Sequence, residues 1–514
     1  MDRLTKELIG GPAFQKQEEI NLPPPGVYDL PEKVLQFGSG RFLRAFCDAF
    51  VDHANREGVF NGRVVIVQST GGERSSILDQ QDGLYTLILR GIREESSLET
   101  RSVLASVSRA LSANQQWEEV LECARNPQLD VVISNTTEVG IVLDKEDSPD
   151  LAPPRSFPGK LTAFLYERYQ AFSGERNKGL VVIPCELIEE NGAVLKSIVL
   201  ELARLWKLEK GFAGWVESAN HFCNSLVDRI VTGSPAQSEL EDLWEQLGYQ
   251  DDLLTIAELY NLWAIEGDEA LKRRLSFALA NPGIVIAPDI TPYREHKIRL
   301  LNGTHTLLSP TAFLYGAATV LESMNDPRIS RFVDGLMRQE IAPSLERQIS
   351  EEAGGAAATR AFIDEVLDRF RNPFIRHQVI DITLQATSKM RLRNVPTLKR
   401  HYEREGTAPQ HFCLGFACYL LFMRGLESQE GKIYGRRQGD LYPINDDRAG
   451  YFMDRWKGVD GRSSETVREF VAGVCADSEL WGMDLNILPG FSQTVAGNLS
   501  ELLQRGPRAL LEKT

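Results

Sequence analysis

Two short runs rich in β-branched residues, separated by one helical stretch, limit the folds open to this chain more than any other feature. VLQF at residues 34–37 and RVVIVQ at 63–68 have the length and composition of buried strands, and residues 42–56 between them show helical periodicity. Two strands joined through a helix usually pair in parallel, and a parallel sheet needs helices on both faces. The sequence therefore predicts an α/β fold for the first half.

The alternation of strands and helices continues along the first half of the chain. Further buried strands are predicted at DVVISN (130–135), GLVVIP (179–184) and GIVIAP (283–288). Amphipathic helices are predicted between them at 161–172 and 193–206. This order of elements is typical of a sheet covered by helices.

Two departures from the alternation define the predicted domains. Residues 84–107, which include LYTLILRGI and TRSVLASVS, are typical of an inserted hairpin, so the sheet is predicted to be mixed. After Pro292 strand-like runs nearly vanish, and helical periodicity indicates helices at 329–337, 361–370, 374–386, 412–424 and 464–475. We therefore predict an α/β domain at 1–288 and a mostly α-helical domain at 289–514.

The composition is that of a folded protein with an acidic surface. Hydrophobic residues make up 42% and charged residues 25% of the 514 residues, values typical of globular domains. The net charge of −15 repels polyanions on average, so nucleic acid and anionic membranes are poor candidate partners. A few local cations are still sufficient to bind a small anionic substrate.

The cysteines and the apolar segments indicate a cytoplasmic protein. The seven cysteines are scattered and form no CxxC motif, which argues against a disulfide framework or a zinc knuckle. The first 17 residues lack the apolar core of an export signal. The most apolar stretch, 412–423, falls short of the roughly 20 residues that cross a bilayer. We therefore expect no export, no membrane span and no bound metal.

The segment QFGSGRFLRAF places two glycines between a predicted strand and a predicted helix. Glycines at this position let backbone approach a pyrophosphate. The third glycine of GxGxxG is replaced by Leu43, so the segment is either a nucleotide-binding loop or an ordinary strand-to-helix turn. Nucleotide binding corresponds to a Rossmann-like N-terminal domain, with cofactor contacts from Gly38, Ser39, Gly40, Arg41 and Phe42.

The residues around this turn leave two questions open. Arg41 and Arg44 either face the pyrophosphate or are solvated on the helix. At the end of the second strand, Gln68 and Ser69 stand where an acidic residue usually binds the ribose 2′-hydroxyl. Arg74 is close enough in sequence to accept a 2′-phosphate. The residues themselves therefore do not decide between NAD and NADP.

A second candidate site lies in TPYREHKIRLLNGTHTLL. Lys297, Asn302 and His305 fall within an arc of roughly 140° on an α-helix. Leu301 falls in the same arc, so Lys297 alternatively lies on the loop or first turn before the helix. Gly303 is unfavourable in a helix and indicates either a kink or a group packed against bare backbone.

This trio has the chemistry to interconvert an alcohol and a carbonyl. A neutral amine accepts the hydroxyl proton, an amide N–H stabilises the oxyanion, and an imidazole orients the substrate. Such a lysine needs a lowered pKa, and Arg294, His296 and Arg299 are close enough to contribute. The alternative is a basic helix start with a capping asparagine and a packed histidine.

Taken together, these residues resemble the polyol-specific long-chain dehydrogenase/reductase family, also known as the mannitol dehydrogenase family. The hallmark K-x4-N-x2-H is present as Lys297, Asn302 and His305. The resemblance covers nearly the whole chain, because eight segments occur in the family's order: QFGSGRFLRAF, QDGLYTLILRG, SNTTEVGI, FPGKLTAFLYERY, IPCELIEENG, FCNSLVDRIVTG, KIRLLNGTHT and FRNPFIRHQ.

The resemblance implies NAD-dependent, metal-independent hydride transfer that interconverts D-tagaturonate and D-altronate. It assigns Lys297 as general acid and base, Asn302 as the oxyanion donor and His305 as a substrate-positioning residue. Asn135 and Thr136 in SNTTEVGI are expected to hold the nicotinamide ribose at the end of a strand. Glu138 belongs to the same motif and is given no role.

Two departures from the mannitol-type pattern argue against mannitol as the substrate. Those enzymes have an asparagine after the acidic residue of SCDN as an oxyanion donor, whereas PCEL places Leu187 after Glu186. Asp381 stands where they have a substrate-facing arginine. Lys389 is a candidate for binding the uronate carboxylate, the alternative being an exposed helix lysine.

Other functions stay open at this point. Fructuronate or a plain ketose is an alternative substrate on the same fold. A nucleotide-binding sensor without catalysis is an alternative of another class, although binding alone does not require the lysine, asparagine and histidine together.

Overall fold

The computed structural model describes residues 1–12, 14, 19–69, 74–93, 96–136, 140–233, 235–345, 349 and 354–507. The chain divides into two compact units, one formed by Met1–Gly91 with Ser96–Ile290 and the other by Ile92–Glu95 with Thr291–Thr514. The first unit is α/β and the second is mostly helical, which confirms the predicted fold class.

The strands of the first unit form one large sheet and two small ones. Their bounds are β1 Glu32–Phe37, β2 Arg63–Gln68, β3 Tyr85–Arg93, β4 Ser96–Leu104, β5 Val107–Ser112, β6 Val131–Ser134, β7 Val181–Pro184, β8 His221–Phe222, β9 Ser225–Asp228, β10 Thr255–Glu258, β11 Leu262–Glu266 and β12 Ile284–Ala287.

The large sheet has the strand order of a dinucleotide-binding fold. Its order is β5-β2-β1-β6-β7-β8, and each neighbouring pair is parallel. With β3 and β4 set aside this is the doubly wound order 3-2-1-4-5-6. The order reverses between β1 and β6, where Phe37 pairs with Ser134. Ligands of such sheets bind beyond the carboxyl ends of the strands at this reversal.

Both faces of this sheet are buried, as the runs of apolar residues predict. Val34 lies in one core with Ile66 and Ile133, whereas the next residue, Leu35, lies in a second core with Val132. Side chains alternate between the two faces of a strand, so a continuous apolar run supplies both cores.

The large sheet is not mixed as predicted, because each of its neighbouring pairs is parallel; mixed pairing occurs in a small sheet instead. The hairpin β3–β4 does not join the large sheet but forms a separate sheet with β10, which pairs with β3 in parallel. The strand predicted at 283–288 is β12, and it also lies in a small sheet. There β11 pairs in parallel with β12 and antiparallel with β9.

The helices of the first unit connect the strands and cover the sheets. The helix predicted at 42–56 is interrupted at Phe46, whose backbone (φ −124°, ψ −87°) is not helical. The helical bounds are α1 Lys6–Gly10, α2 Arg41–Ala45, α3 Cys47–Arg56, α4 Arg74–Gln80, α5 Trp117–Ala124, α6 Phe157–Ala171, α7 Asn191–Leu205, α8 Lys210–Ala219, α9 Gln237–Leu247 and α10 Glu269–Arg274.

The second unit is built from helices and one small antiparallel sheet. The sheet consists of β13 Glu427–Gln429, β14 Lys432–Arg437 and β15 Asp440–Pro443. The helices are α11 Thr291–Glu295, α12 Thr304–Tyr315, α13 Val320–Asn325, α14 Pro327–Gly335, α15 Ala342–Leu345, α16 Gly355–Phe370, α17 Val379–Ile382, α18 Ala386–Lys389, α19 Val395–Glu405, α20 Gln410–Phe422, α21 Ala449–Arg455, α22 Ser464–Cys475, α23 Ser478–Trp481 and α24 Phe491–Arg505.

One predicted helix of the second unit is wrong. Within 374–386 only Val379–Ile382 and Ala386 are helical. The N–H of Phe374 bonds to the side chain of Asn372 at 3.0 Å, and Gln378 forms an isolated bridge with Thr319. One local bond and one pairing with a distant segment thus replace the hydrogen bonds of a helix.

Three long helices of the second unit contain π-helical segments. His296–Gly303 joins α11 to α12, Leu336–Ile341 joins α14 to α15, and Met390–Asn394 joins α18 to α19. π segments are rare and occur frequently at functional sites. The first segment contains the predicted site residues Lys297 and Asn302. The third segment begins directly after the predicted site residue Lys389.

A buried polar network supports β1 and the turn that follows it. The amide nitrogen of Gln36 donates to the carbonyl of Gly38 at 3.1 Å and to Asp48 Oδ2 at 3.4 Å. The hydroxyl of Tyr85 donates to the carbonyl of Arg44 at 2.9 Å. Asp48 is fully buried, and this burial raises its pKa to about 7, although Gln36, Arg44 and Tyr85 act in the opposite direction.

Asp48 makes the stability of the first unit depend on pH. The folded state holds the Asp48 proton up to about pH 7 and the unfolded state releases it near pH 3.8, so stability falls as pH rises through this window. We expect Asp48→Asn to remove this dependence. Its free energy of unfolding relative to wild type should rise by about 3 kcal/mol between pH 5 and pH 8. Urea unfolding at both pH values checks this, and an unchanged difference contradicts it.

Candidate active site

A pocket of about 660 Å³ opens at the carboxyl ends of β1 and β6 in the first unit. Five of the predicted cofactor contacts line it, and its residues are Gly38, Ser39, Gly40, Gln68, Ser69, Arg74, Asn135, Thr136, Gly140, Val142, Leu143, Asp144, Arg155, Ser156, Phe157 and Lys160. It lies at the reversal of strand order, where a doubly wound sheet binds its nucleotide.

The two glycines of the turn have different roles. Gly38 has a φ of +126°, and a Cβ there would lie 3.0 Å from the carbonyl oxygen of Asn135, so backbone conformation and space both require glycine. A Cβ on Gly40 would meet no described atom within 4 Å. The space beside Gly40 therefore belongs to the pocket, as expected where backbone approaches a pyrophosphate.

Arg41, Phe42 and Leu43, which follow Gly40, are not among the described residues that line the pocket. Arg41 is half-buried and within electrostatic range of Arg74, which does line it. Phe42 stacks on Phe46 at a centroid distance of 4.9 Å and packs against the core. Leu43, at the position of the missing third glycine, is also buried in that core.

Arg44 supports the turn from inside the protein. It is 2% exposed, and its guanidinium donates to the carbonyl of Ser39 at 2.7 Å, to the carbonyl of Leu253 at 3.3 Å and to Thr255 Oγ1 at 3.2 Å. Arg44 therefore neither faces solvent nor lines the pocket. It ties the glycine turn to the start of β10.

Glu186 supports the second wall of the pocket, and from the sequence it was named only as the acidic residue of PCEL, without a role. Its buried carboxylate accepts bonds from the N–H and hydroxyl of Thr136 at 2.9 and 3.1 Å and from Ser134 Oγ at 3.1 Å. Asn135 Nδ2 bonds to the carbonyl of Cys185 at 3.0 Å. Burial raises the pKa of Glu186, while these donors act in the opposite direction. Leu187 is 62% exposed, and Glu138 lies outside the described residues.

Gln68 and Lys160 both line this pocket. Gln68 is buried, and its Oε1 accepts the N–H of Ser75 at 2.9 Å, so its amide supports the start of α4. Lys160, from the FPGKL segment, is 3% exposed, lines the pocket and donates to the carbonyl of Arg155 at 2.7 Å. Burial lowers the pKa of Lys160, which Asp147 partly offsets. Only the family motif pointed to this lysine.

Lys297 and Asn302 lie one turn apart on a continuous helix spanning 291–315. Both are half-buried and lie in the π segment His296–Gly303. A π-helix repeats its hydrogen bonds every five residues, so Asn302 takes the place that Leu301 would have in an α-helix, while Leu301 is buried. Lys297 is therefore inside the helix rather than in a loop before it. Asn302 is also mid-helix, so it does not act as a cap.

The backbone at Gly303 packs against the π segment Met390–Asn394. Asn394 Nδ2 donates to the carbonyl of Gly303 at 3.0 Å, and a Cβ on Gly303 would lie 3.4 Å from this nitrogen. Arg299 Nη1 donates to the carbonyls of Leu392 and Arg393 at 2.7 and 2.9 Å. Gly303 therefore combines both predicted roles, since it lies in an irregular helix and bears a packed group on its backbone.

Two of the basic residues near Lys297 do not present an uncompensated positive charge. Arg299 pairs with Glu295 at 3.1 Å, and Glu295 also pairs with Arg400. His296 bonds to Thr359 Oγ1 at 2.9 Å, and burial lowers its pKa to about 4, which Glu295 only partly offsets. His296 is therefore neutral at pH 7.

His305 is a buried, neutral imidazole. It is 8% exposed and packs on Phe370 at 4.3 Å and His377 at 5.2 Å between ring centroids. Burial lowers its pKa well below 6.5, and four basic groups, beginning with His377 and Arg369, lower it further. Nδ1 of His305 is buried without a hydrogen-bond partner among the described residues. Such an atom suits a ligand hydroxyl.

Lys389 differs from an exposed helix lysine. It is half-buried, and its amine donates to the carbonyl of Ile382 at 2.9 Å. Burial lowers its pKa, as does Arg393, whereas Asp446 acts in the opposite direction. Asp381 is exposed.

The described residues offer no alternative metal centre. No group of three or more histidine, cysteine, aspartate or glutamate side chains in this part of the chain is arranged to hold a metal ion. The seven cysteines are buried and free. None of the described helices is long and apolar enough to cross a membrane.

Comparison with known proteins assigns both units to one family. Residues 32–278 match the mannitol dehydrogenase Rossmann domain, and residues 289–503 match the mannitol dehydrogenase C-terminal domain. An altronate oxidoreductase of Bacillus subtilis is 41% identical, covering 95% of this chain and 97% of its own. One from Pectobacterium carotovorum is 40% identical, covering 94% and 96%.

Two solved structures share the fold at low sequence identity. Mannitol 2-dehydrogenase of Pseudomonas fluorescens, in a complex with NAD and D-mannitol, has a TM-score of 0.67 at 23% identity and covers 99% of both chains. A substrate-free D-sorbitol dehydrogenase has a TM-score of 0.79 at 22% identity, covering 99% of this chain and 100% of its own. Both domain models and the relatives at about 40% identity agree: this chain belongs to the mannitol dehydrogenase family.

Proposed function

We propose that this chain is an NAD-dependent altronate oxidoreductase that interconverts D-tagaturonate and D-altronate in the cytoplasm. The observation that carries the proposal is the placement of Lys297 and Asn302 one turn apart, with neutral His305 following on the same helix. The relatives named altronate oxidoreductase, which align over nearly the whole chain, support the choice of substrate. The free thiols of all seven cysteines agree with a reducing compartment.

The pocket of the first unit fits a dinucleotide. The bare backbone at Gly38 and Gly40 accommodates a pyrophosphate, and the open space beside Gly40 is the volume that a larger residue would fill. Asn135 and Thr136 line the same pocket and are held by Cys185 and Glu186, which supports assigning them to the nicotinamide ribose. NAD supplies the hydride acceptor of the reaction when it is bound.

The helix of the second unit supplies the groups for the proton and the oxygen. The Lys297 amine takes the proton of the substrate hydroxyl during oxidation and returns it during reduction. The Asn302 amide, which makes no side-chain hydrogen bond to another described residue, donates to the oxygen as negative charge develops. Neutral His305 accepts or donates a bond to a second hydroxyl through Nδ1 and orients the sugar.

If the pocket binds the nucleotide, a larger residue at Gly40 should weaken NADH binding without lowering the stability of the protein. Gly40→Val should raise the Kd for NADH at least about tenfold, because a side chain there would occupy pocket space, and its Cβ would lie more than 4 Å from any described protein atom. The melting temperature should stay near that of wild type. NADH fluorescence titration and thermal unfolding measure both. Gly214→Val is the control, at an exposed glycine where a Cβ likewise has open space, and it should leave the Kd unchanged.

If Lys297 transfers the proton, its removal should abolish most of the turnover but leave nucleotide binding intact. Lys297→Ala should lower kcat by about 10²- to 10⁴-fold, the range of general acid–base catalysis, while NADH still binds. Lys399→Ala removes an exposed lysine that pairs with Glu403 and should retain turnover. Full activity of the Lys297 variant contradicts the assignment.

A substrate panel separates the candidate reactions. We expect the highest kcat/KM for tagaturonate with NADH, followed by fructuronate and fructose, and lower values with NADPH. Initial rates of absorbance loss at each substrate concentration provide these constants. Fastest turnover of fructose would exclude the uronate assignment, and NADH binding without any turnover would favour a sensor.

A further inference from the structure

Two cations follow each other at a spacing of four residues beside the candidate active site. Lys389 ends α18, and Arg393 lies in the π segment Met390–Asn394 that continues the same helix. Both side chains are half-buried, and each lies within electrostatic range of His305. Among the described residues neither forms an ion pair with a carboxylate.

Arg393 faces the helix that carries the catalytic candidates. Its Nη1 lies 3.4 Å from the hydroxyl of Thr306, the residue directly after His305. Its backbone is fixed in this position, because the carbonyl of Arg393 accepts a bond from Arg299 at 2.9 Å and the next residue, Asn394, binds the carbonyl of Gly303. The guanidinium is thus held next to the proposed substrate-positioning histidine.

Among the described residues the surroundings add further basic groups, and the acids that act on Lys389 and His377 are either already bonded or exposed. Arg369 is buried, and His377 lies 5.2 Å from His305 between ring centroids. Asp446, the acid within electrostatic range of Lys389, already accepts the N–H groups of Thr387 and Arg448 at 2.8 and 2.9 Å. Asp381, which acts on His377, is exposed to solvent.

Partly buried like charges without a counterion cost free energy, because desolvation and mutual repulsion both disfavour the charged forms. The fold retains Lys389 and Arg393 close together despite this cost. A ligand carboxylate between them would remove the repulsion and form charge-assisted bonds, and the planar guanidinium can bind both carboxylate oxygens at once. A neutral ketose offers no such compensation.

We propose that Arg393, together with Lys389, forms a carboxylate-binding subsite that selects sugar acids over neutral sugars. This assignment rests on the proposed function and names the group that determines its substrate class. Arg393 supplies the two-pronged contact, and Lys389 supplies a second charge from the preceding turn. Neither Arg393 nor its pairing with Lys389 was evident from the sequence.

The test compares a charged and a neutral substrate on the full-length enzyme. Arg393→Gln should lower kcat/KM for tagaturonate by about 10- to 100-fold, mainly through KM, because charge-assisted bonds are lost. The loss for fructose should be much smaller. Arg393→Lys, which keeps the charge, should recover part of the tagaturonate activity. Arg391→Gln, an exposed arginine on the same helix that bonds to the carbonyl of Glu479, is the matched control.

Binding without turnover provides an independent measurement. A thermal-shift titration of wild type with D-altronate and with D-mannitol, each in the presence of NAD, should show tighter binding of the acid. Arg393→Gln should lose this preference while its melting temperature without ligand stays near wild type.

The outcomes distinguish the subsite from the proposed function. If wild type reduces tagaturonate and Arg393→Gln does so equally well, the subsite is wrong and the function stands. If wild type reduces no uronate but binds sugar acids through Arg393, the function is wrong and the subsite stands. Equal losses for tagaturonate and fructose would assign Arg393 a structural role and overturn the subsite.

Discussion

The contact between the π segments at 296–303 and 390–394 determines the arrangement of the candidate catalytic groups. Asn394 binds the carbonyl of Gly303, and Arg299 binds the carbonyls of Leu392 and Arg393. These bonds use backbone groups at irregular points of both helices, so they fix register as well as distance. A side chain on Gly303 would press against Asn394 and disturb the positions of the residues on either side.

Electrostatics in the second unit follow from this packing. Burial is the main cause of the lowered pKa of His305, and four nearby basic groups, among them Lys389 and Arg393 of the second helix, lower it further. His296, in the π segment that precedes His305, also has a lowered pKa mainly because of burial, and its ring is bonded to Thr359. The structure thus contains two uncharged histidines within ten residues, one with its ring nitrogen engaged and one with Nδ1 available to a ligand.

The sequence predicted those parts of the fold that depend on local patterns. The strand at Arg63–Gln68 and the helix at Ser464–Cys475 agree with their predicted bounds, because apolar periodicity and a good capping residue such as Ser463 are local signals. The sheet β13–β15 was missed because it is largely exposed and has no alternating apolar face. The π segments were missed because long-range bonds to backbone stabilise them.

The residues Lys297, Asn302 and His305 could be named from the sequence, but their spacing makes structural sense only with the wider π turn. Glu186 and Arg44 act through partners in distant segments, and no local pattern reveals them.

The tie between Arg44 and the start of β10 has a consequence for synthesis of the chain. The donor belongs to the turn after the first strand, and its acceptors at Leu253 and Thr255 are more than 200 residues later. Chains emerge from the ribosome N-terminus first, at about 5–20 residues per second. The glycine turn therefore leaves the exit tunnel at least about ten seconds before its internal brace exists, and during this interval the part of the Arg44 guanidinium that later binds Leu253 and Thr255 stays hydrated. The native support of the turn can form only after β10 has been synthesised.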